Sequence, residues 1–138
     1  MPKPPLPDSL HEFLARPNPA VMGTLRANGD PVTVATWYLW EDGRVLLNLD
    51  ARRKRLQHLR RDPRVSLTVL GEANWYHHVS LHCRVASLAD DPELVDIDRL
   101  AQHYGRGRYG DRVHQRVSAW LEVETWHAWG LSAARGRR

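Results

Sequence analysis

Residues 31–50 read PVTVATWYLWEDGRVLLNLD. Residues 31–40 are dominated by β-branched and aromatic side chains, EDG at 41–43 is a turn signal, and RVLLNL at 44–49 resumes the strand pattern. Upstream, AVMGTLR at 20–26 followed by ANGD at 27–30 makes a hairpin with the strand that begins at Pro31. Three strands joined in succession by tight turns predict an antiparallel meander. Nothing here has the strand–helix alternation of a parallel sheet.

Downstream, DARRKRLQHLRRDPRV at 50–65 interrupts the strands with a basic segment. Asp50 is a candidate N-cap, Leu56 and Leu59 share one helical face, and Asp62-Pro63 stops the helix. RVSLTVL at 64–70 and WYHHVSLHCRVASL at 75–88 give two more strands around GEAN. A helix is expected from near Asp90, with Glu93 three residues on and Leu94, Ile97, Leu100 and Tyr104 at helical spacing; Gly105 ends it. After the irregular GRGRYGD, VSAWLEVETWHAWG at 117–130 alternates as a closing strand. At the N-terminus, Ser9 and Glu12 form a capping box for a short helix over 9–15. The result is a mainly β chain of six strands and three short helices, a small β-barrel with helical decorations. Its parts are an extended Pro-rich arm (1–8), one domain (9–130) and a basic tail (131–138).

The chain has 138 residues, a net charge of +4 and one cysteine. That length suits a single core, and the lone cysteine excludes an internal disulfide. No window resembles a signal peptide or the roughly 20 apolar residues of a membrane span, so a cytoplasmic protein with no membrane partner is expected.

The position of the basic segment points to an anion. The first N–H groups of a helix lack internal partners and carry the positive end of its dipole. Arg53, Lys54 and Arg55 crowd that end, adding forked and point-charge donors for phosphate oxygens. A solvated basic face is the plain alternative. Nucleic acid is the rival, but the strongly basic runs are limited to this segment and RGRR at 135–138, so no nucleic-acid partner is expected.

His77, His78 and His82 do not make a metal site by themselves: residues i and i+4 on a strand stand roughly 13 Å apart, and neighbours point to opposite faces. His78, Ser80, His82 and Arg84 share a polar face, which leaves Cys83 among apolar neighbours as a core residue rather than a nucleophile. No metal is expected. The six tryptophans, Trp37, Trp40, Trp75, Trp120, Trp126 and Trp129, fill a core or subunit interface, or some of them wall a pocket for a planar ring. No GxSxG, P-loop or GxGxxG pattern occurs.

Turn NGD, strand PVTVATWYLW, turn EDG, strand RVLLNLD, the basic helix ARRKRLQHLRRDPRVSL, strand HHVSLHCRVASL and the DDPE helix start together resemble the flavin/deazaflavin oxidoreductase superfamily, split β-barrel proteins similar to pyridoxamine 5′-phosphate oxidase. The likeness runs from about Phe13 to Gly130 and looks closest to the branch that uses the deazaflavin coenzyme F420. It implies a homodimer with cofactors in clefts between subunits and hydride transfer between F420 and a small conjugated or unsaturated molecule. FMN bound as in an oxidase is the alternative, and a non-enzymatic binder of a small ligand or nucleic acid is the second. The resemblance places the cofactor phosphate at Arg53, Lys54 and Arg55 and the ring along Thr33, Val34, Ala35, Thr36 and Trp37. It sets Asn48 near the ribityl phosphate and His78 at a polar position that reaches the cofactor. Arg60, Arg61 or Arg106 would rim the oligoglutamyl tail of F420. Arg52 stands where the family commonly has a small residue, and Cys83 near a usual glycine.

Overall fold

The computed structural model describes residues 1–131; most of the basic tail expected over 131–138 lies outside them. In chain order the elements are α1 (Asp8–Leu14), β1 (Ala20–Leu25), β2 (Pro31–Thr36), β3 (Leu39–Glu41), β4 (Arg44–Asp50), α2 (Lys54–Arg61), β5 (Arg64–Leu70), β6 (His78–Asp90), α3 (Val95–His103) and β7 (Arg116–Trp129). The strands form one antiparallel sheet in the order β2-β1-β5-β6-β7-β4-β3. β2 and β3 lie at opposite ends of that order, yet only Trp37 and Tyr38 separate them in sequence. The sheet must therefore roll until its edges meet, and the seam between β2 and β3 stays unpaired: a split barrel.

The expected strand over 31–40 is thus two strands, and the meander breaks after its first hairpin. Tyr38 supplies the physical reason. It is fully buried, and its hydroxyl donates to the carbonyls of Leu14 (2.7 Å) and Arg16 (3.2 Å), which pulls the backbone out of the ladder. The two turn signals hold: β1 pairs with β2 from Ala20↔Thr36 to Leu25↔Pro31, and β3 pairs with β4 across the EDG turn.

Three helix starts differ from expectation. Pro7, not Ser9, precedes α1; its carbonyl accepts from Leu10 N at 3.0 Å, and no side chain caps the helix, so no capping box forms. Asp50 does not cap α2. Its carboxylate holds Arg52 instead, through the Arg52 backbone N–H (2.9 Å), Nε (3.0 Å) and Nη2 (2.6 Å), and the helix begins only at Lys54. That ion pair gives the unusual Arg52 a structural partner. Asp90 ends β6 rather than opening α3. Asp91 takes the capping role from further upstream, its carboxylate accepting from Asp96 N (3.2 Å) and Ile97 N (3.1 Å). Gly105, at φ +74°, follows the last turn of α3 as expected.

The barrel interior is filled by alternate residues, among them Met22, Leu47, Leu67, Leu81 and Leu121. β6 alternates as its sequence does, with Val79, Leu81 and Cys83 buried and His82 and Arg84 exposed. α2 lies against β1: Leu56 and Leu59 enter the core, and Thr24 Oγ1 and His58 Nδ1 share a 2.9 Å hydrogen bond. α3 covers the outer side of β4, with Leu94, Ile97 and Leu100 packing on Trp37, Leu39 and Tyr109. The N-terminal arm is extended and docked: Leu6 is buried, the Pro2 carbonyl accepts from Trp126 N (3.0 Å), and the Lys3 carbonyl accepts from Trp126 Nε1 (3.3 Å). No described helix is long and apolar enough to cross a membrane.

Candidate functional site

The start of α2 is electrostatically unfinished. No side chain caps it, its first turn holds no acidic residue, and Arg53, Lys54 and Arg55 gather there. Cations at the positive end of a helix dipole repel it and each other unless an anion sits among them. Arg55 shows the strain most directly. Its Nε is buried without a hydrogen-bond partner among the described residues, and burial, then the neighbouring Arg53 and Arg116 guanidiniums, lowers its pKa. Leu56 and Leu59, locked in the core, hold the helix in place.

Two cavities meet at Arg55, which lines both. The first, of about 860 Å³, is basic: Arg26, Arg53, Lys54, Arg55 and Arg61 line it together with Val32 and Val34, and among the described residues no carboxylate does. The second, of about 630 Å³, is aromatic and apolar, with Trp37, Tyr104, Tyr109, Ile97 and Leu100 in its wall and Arg116 and Asn48 at one side. Trp37 stacks on Tyr104 (centroids 5.4 Å apart, planes 13° apart) and meets Tyr109 edge-on at 6.1 Å. Tyr104 is fixed by donating its hydroxyl to the Asn18 carbonyl (2.7 Å), and burial pushes its pKa up to about 12. Both volumes fall within the range of small-molecule sites, roughly 300–1,000 Å³.

Most of the expected site residues converge here, but not all, and not in one place. Ala35, Thr36, Trp37, Asn48 and Arg55 line the aromatic cavity. Val34, Arg53, Lys54 and Arg55 line the basic one. Thr33 points instead into a groove on the outer sheet with Gly23, Ser66 and His82. His78 lines neither cavity; it lies at the start of β6, its Nδ1 3.3 Å from the Trp75 carbonyl. Asn48 reaches the cavity wall with every polar atom of its side chain committed: Nδ2 donates to Asp91 Oδ2 and Ser118 Oγ (both 3.1 Å), and Oδ1 accepts from Arg116 Nε (2.9 Å). Of the three rim candidates, Arg61 lines the basic cavity.

Tyr104, Tyr109, Arg116 and Arg26 are site residues that the sequence did not single out as such. Tyr109 comes from the irregular α3–β7 loop and Arg116 from the first residue of β7, so only the folded chain brings them to Trp37. The tryptophans divide by role: Trp126 is core, Trp37 walls the cavity, and Trp75 and Trp129 are 61% and 58% exposed.

Asp50, Asp111 and His114 approach one another, with possible ligand atoms within 4.8 Å. Both carboxylates already hold hydrogen-bond partners, Asp50 with Arg52, and Asp111 with the backbone N–H groups of Val113 and His114 and with His114 Nδ1 at 2.8 Å. The set stabilises the turns before β7.

The family pattern of pyridoxamine 5′-phosphate oxidase matches residues 6–130. Among solved structures, an F420 reductase superposes with a TM-score of 0.81 at 20% identity, covering 88% of this chain and 98% of its own. A conserved hypothetical protein from Mycobacterium tuberculosis gives 0.71 at 20% identity, covering 92% and 86%. General Stress Protein 26 from Bacillus anthracis gives 0.67 at 14% identity, covering 89% and 95%. No curated protein sequence matches the chain. At these identities the structures speak for the fold alone, whereas the family match spans nearly the whole sequence. With a rolled seven-stranded sheet, an uncapped basic helix start and an aromatic cavity beside it, the chain belongs to the pyridoxamine 5′-phosphate oxidase family, a split-barrel family of flavin-type oxidoreductases.

Proposed function

We propose that this protein is an oxidoreductase that holds the deazaflavin F420 and passes hydride between it and a small conjugated or unsaturated molecule. The observation that carries this is the uncapped start of α2, where Arg53, Lys54 and Arg55 border a basic cavity that shares Arg55 with an aromatic one. The residues fit a ligand with an anion at one end and a flat ring at the other. In its reduced form such a cofactor supplies hydride from its central ring, so no side-chain nucleophile is needed.

The chain's part is binding, orientation and exclusion of water. Arg53, Lys54 and Arg55 anchor the phosphate by charge-assisted hydrogen bonds, with Arg55 Nε gaining the partner it lacks. Val34, Ala35 and Thr36 of β2 would hold the ring, with Trp37, stacked on Tyr104, as the wall beyond them. Fixing two reactants face to face converts a bimolecular encounter into a unimolecular one. Tyr104 keeps its proton, because its hydroxyl is buried and already donated to Asn18.

F420 is favoured over FMN by the excess of positive charge. One phosphate does not use five cations, whereas Arg26 and Arg61, beyond the helix start, suit the carboxylates of an oligoglutamyl tail. FMN is the alternative, supported by the family to which the chain belongs. A homodimer is part of the proposal. β2 is largely exposed, and Trp75, Tyr76 and Trp129 stand out from the surface as apolar area for a second copy to cover.

Titration of the purified protein with F420 and with FMN, followed by the fluorescence of each, tests the reading. F420 is expected to bind more tightly by about tenfold or more. Tighter FMN binding reverses the cofactor assignment. Binding of neither, together with DNA affinity that falls steeply with salt, replaces the enzyme by a nucleic-acid binder.

A further inference from the structure

Arg116 carries a buried positive charge that no carboxylate touches. It is 6% exposed, and it forms no ion pair among the described residues. Its contacts are all neutral. Nε donates to Asn48 Oδ1 (2.9 Å), Nη2 to the Asn48 carbonyl (3.3 Å) and Nη1 to the Tyr109 hydroxyl (3.4 Å), and the guanidinium lies 4.9 Å above the Tyr109 ring. A guanidinium has five N–H groups. The other two, one on Nη1 and one on Nη2, have no acceptor among the described residues, and Arg116 lines the aromatic cavity.

This placement is enforced from behind. Asn48 presents its oxygen to Arg116 because its amide nitrogen is taken by Asp91 and Ser118, and Ser118 in turn donates to Asp96 Oδ2 at 2.6 Å. Asp91 and Asp96 thus reach Arg116 only through Asn48 and Ser118, while the carboxylate of Asp50, its cross-strand neighbour, is held by Arg52, and Glu72 lines the same cavity. Taking a charge out of water without a direct partner is costly. Such a group can be offset by an anion that arrives from the cavity. It also sits at the end of a flat wall, because Tyr109 beneath it meets Trp37, and Trp37 stacks on Tyr104.

We propose that Arg116 is the specificity-determining residue for the acceptor, and that the aromatic cavity takes flat conjugated molecules bearing a carboxylate, which docks on the free edge of its guanidinium. The inference rests on reading the basic cavity as the cofactor's anchor. The two cation sets share Arg55 alone: Arg53, Lys54 and Arg61 line only the basic cavity, and Arg116 lines only the aromatic one. A fork of two parallel N–H groups suits a carboxylate, whereas a neutral amide of the same shape meets it with a single oxygen and no charge.

The test compares trans-cinnamate with cinnamamide by calorimetric titration into the wild-type protein, Arg116→Gln and Arg116→Lys, with F420 titrated in parallel. Cinnamate is expected to bind the wild type about tenfold or more tightly than the amide, given the strength of hydrogen bonds to charged groups. That preference should vanish in Arg116→Gln and persist in part in Arg116→Lys, with F420 affinity unchanged in both. Equal affinity for acid and amide in the wild type overturns the proposal without any variant, so a folding defect in Arg116→Gln leaves the test intact. Loss of F420 binding in Arg116→Gln also overturns it, by giving the seat to the cofactor. A retained acid preference in a wild type that binds no F420 would sink the proposed function and leave the carboxylate seat standing.

Discussion

β4 and β2 are built from the same kinds of residues and meet opposite fates. Every residue of β4 from Val45 to Asp50 is buried, with β3 and β7 paired on its two sides, the barrel core under one face and α3 over the other. β2 pairs with β1 alone, lies at the seam, and leaves Pro31, Thr33, Val34 and Ala35 exposed. An apolar edge strand open to water is what folded proteins avoid. The difference teaches that β4 is explained by folding, whereas β2 leaves a face that the proposed cofactor and second copy would cover.

The largest way to test that contrast is Leu47→Ala in β4. Leu47 is fully buried in the barrel core, so its truncation is expected to lower stability by about 2–5 kcal/mol in urea denaturation. Tyr38→Phe, at the break between β2 and β3, removes the hydroxyl that bonds Leu14 and Arg16 and is expected to cost about 1 kcal/mol by the same measurement. Val34→Ala in β2 should change stability by less than about 0.5 kcal/mol while weakening cofactor binding. A loss in Val34→Ala as large as that in Leu47→Ala would erase the distinction between the strands.

Two smaller effects sharpen it. Cys83 faces the core, and burial pushes its pKa up to about 12. Its thiol should therefore stay unmodified by iodoacetamide at pH 8 in the native protein and react on unfolding; rapid native modification would place it on the open face of β6. Asp62, after α2, is held at about 2 by hydrogen bonds from Arg64, below the roughly 3.9 of an unfolded aspartate. A depressed carboxyl contributes stability that is present above about pH 4 and lost as pH falls towards 2. Asp62→Asn should flatten acid unfolding slightly over that interval, by an amount that salt reduces, because the pair is solvent-exposed. An unchanged acid limb would show the pair to be idle.

The sequence was most legible where the information is local. Alternation along β6 separated Val79, Leu81 and Cys83 from His82 and Arg84, and Asn28-Gly29 and Glu41–Gly43 marked both hairpins. It was least legible where a distant partner decides. Strand propensity continues through Trp37 and Tyr38, and only the carbonyls of Leu14 and Arg16 draw Tyr38 out of the ladder. Asp50 looked like a cap because its rival, the Arg52 guanidinium, wins by ion pairing. The crowding of Arg53, Lys54 and Arg55 could be read directly, but the aromatic wall could not. Tyr104, Tyr109 and Arg116 reach it from a helix end, a loop and a strand start. Asn48 could be placed near the site, though its amide serves Arg116 and Asp91.

The claim on which the rest depends is that the cations at the start of α2 anchor the cofactor. Its most direct test is F420 titration of Lys54→Glu/Arg55→Glu alongside a thermal melt. Reversing two charge-assisted contacts is expected to weaken binding by about a hundredfold or more, with the melting temperature unchanged or raised because like charges at the helix start are relieved. Wild-type affinity in the folded double variant would contradict the account.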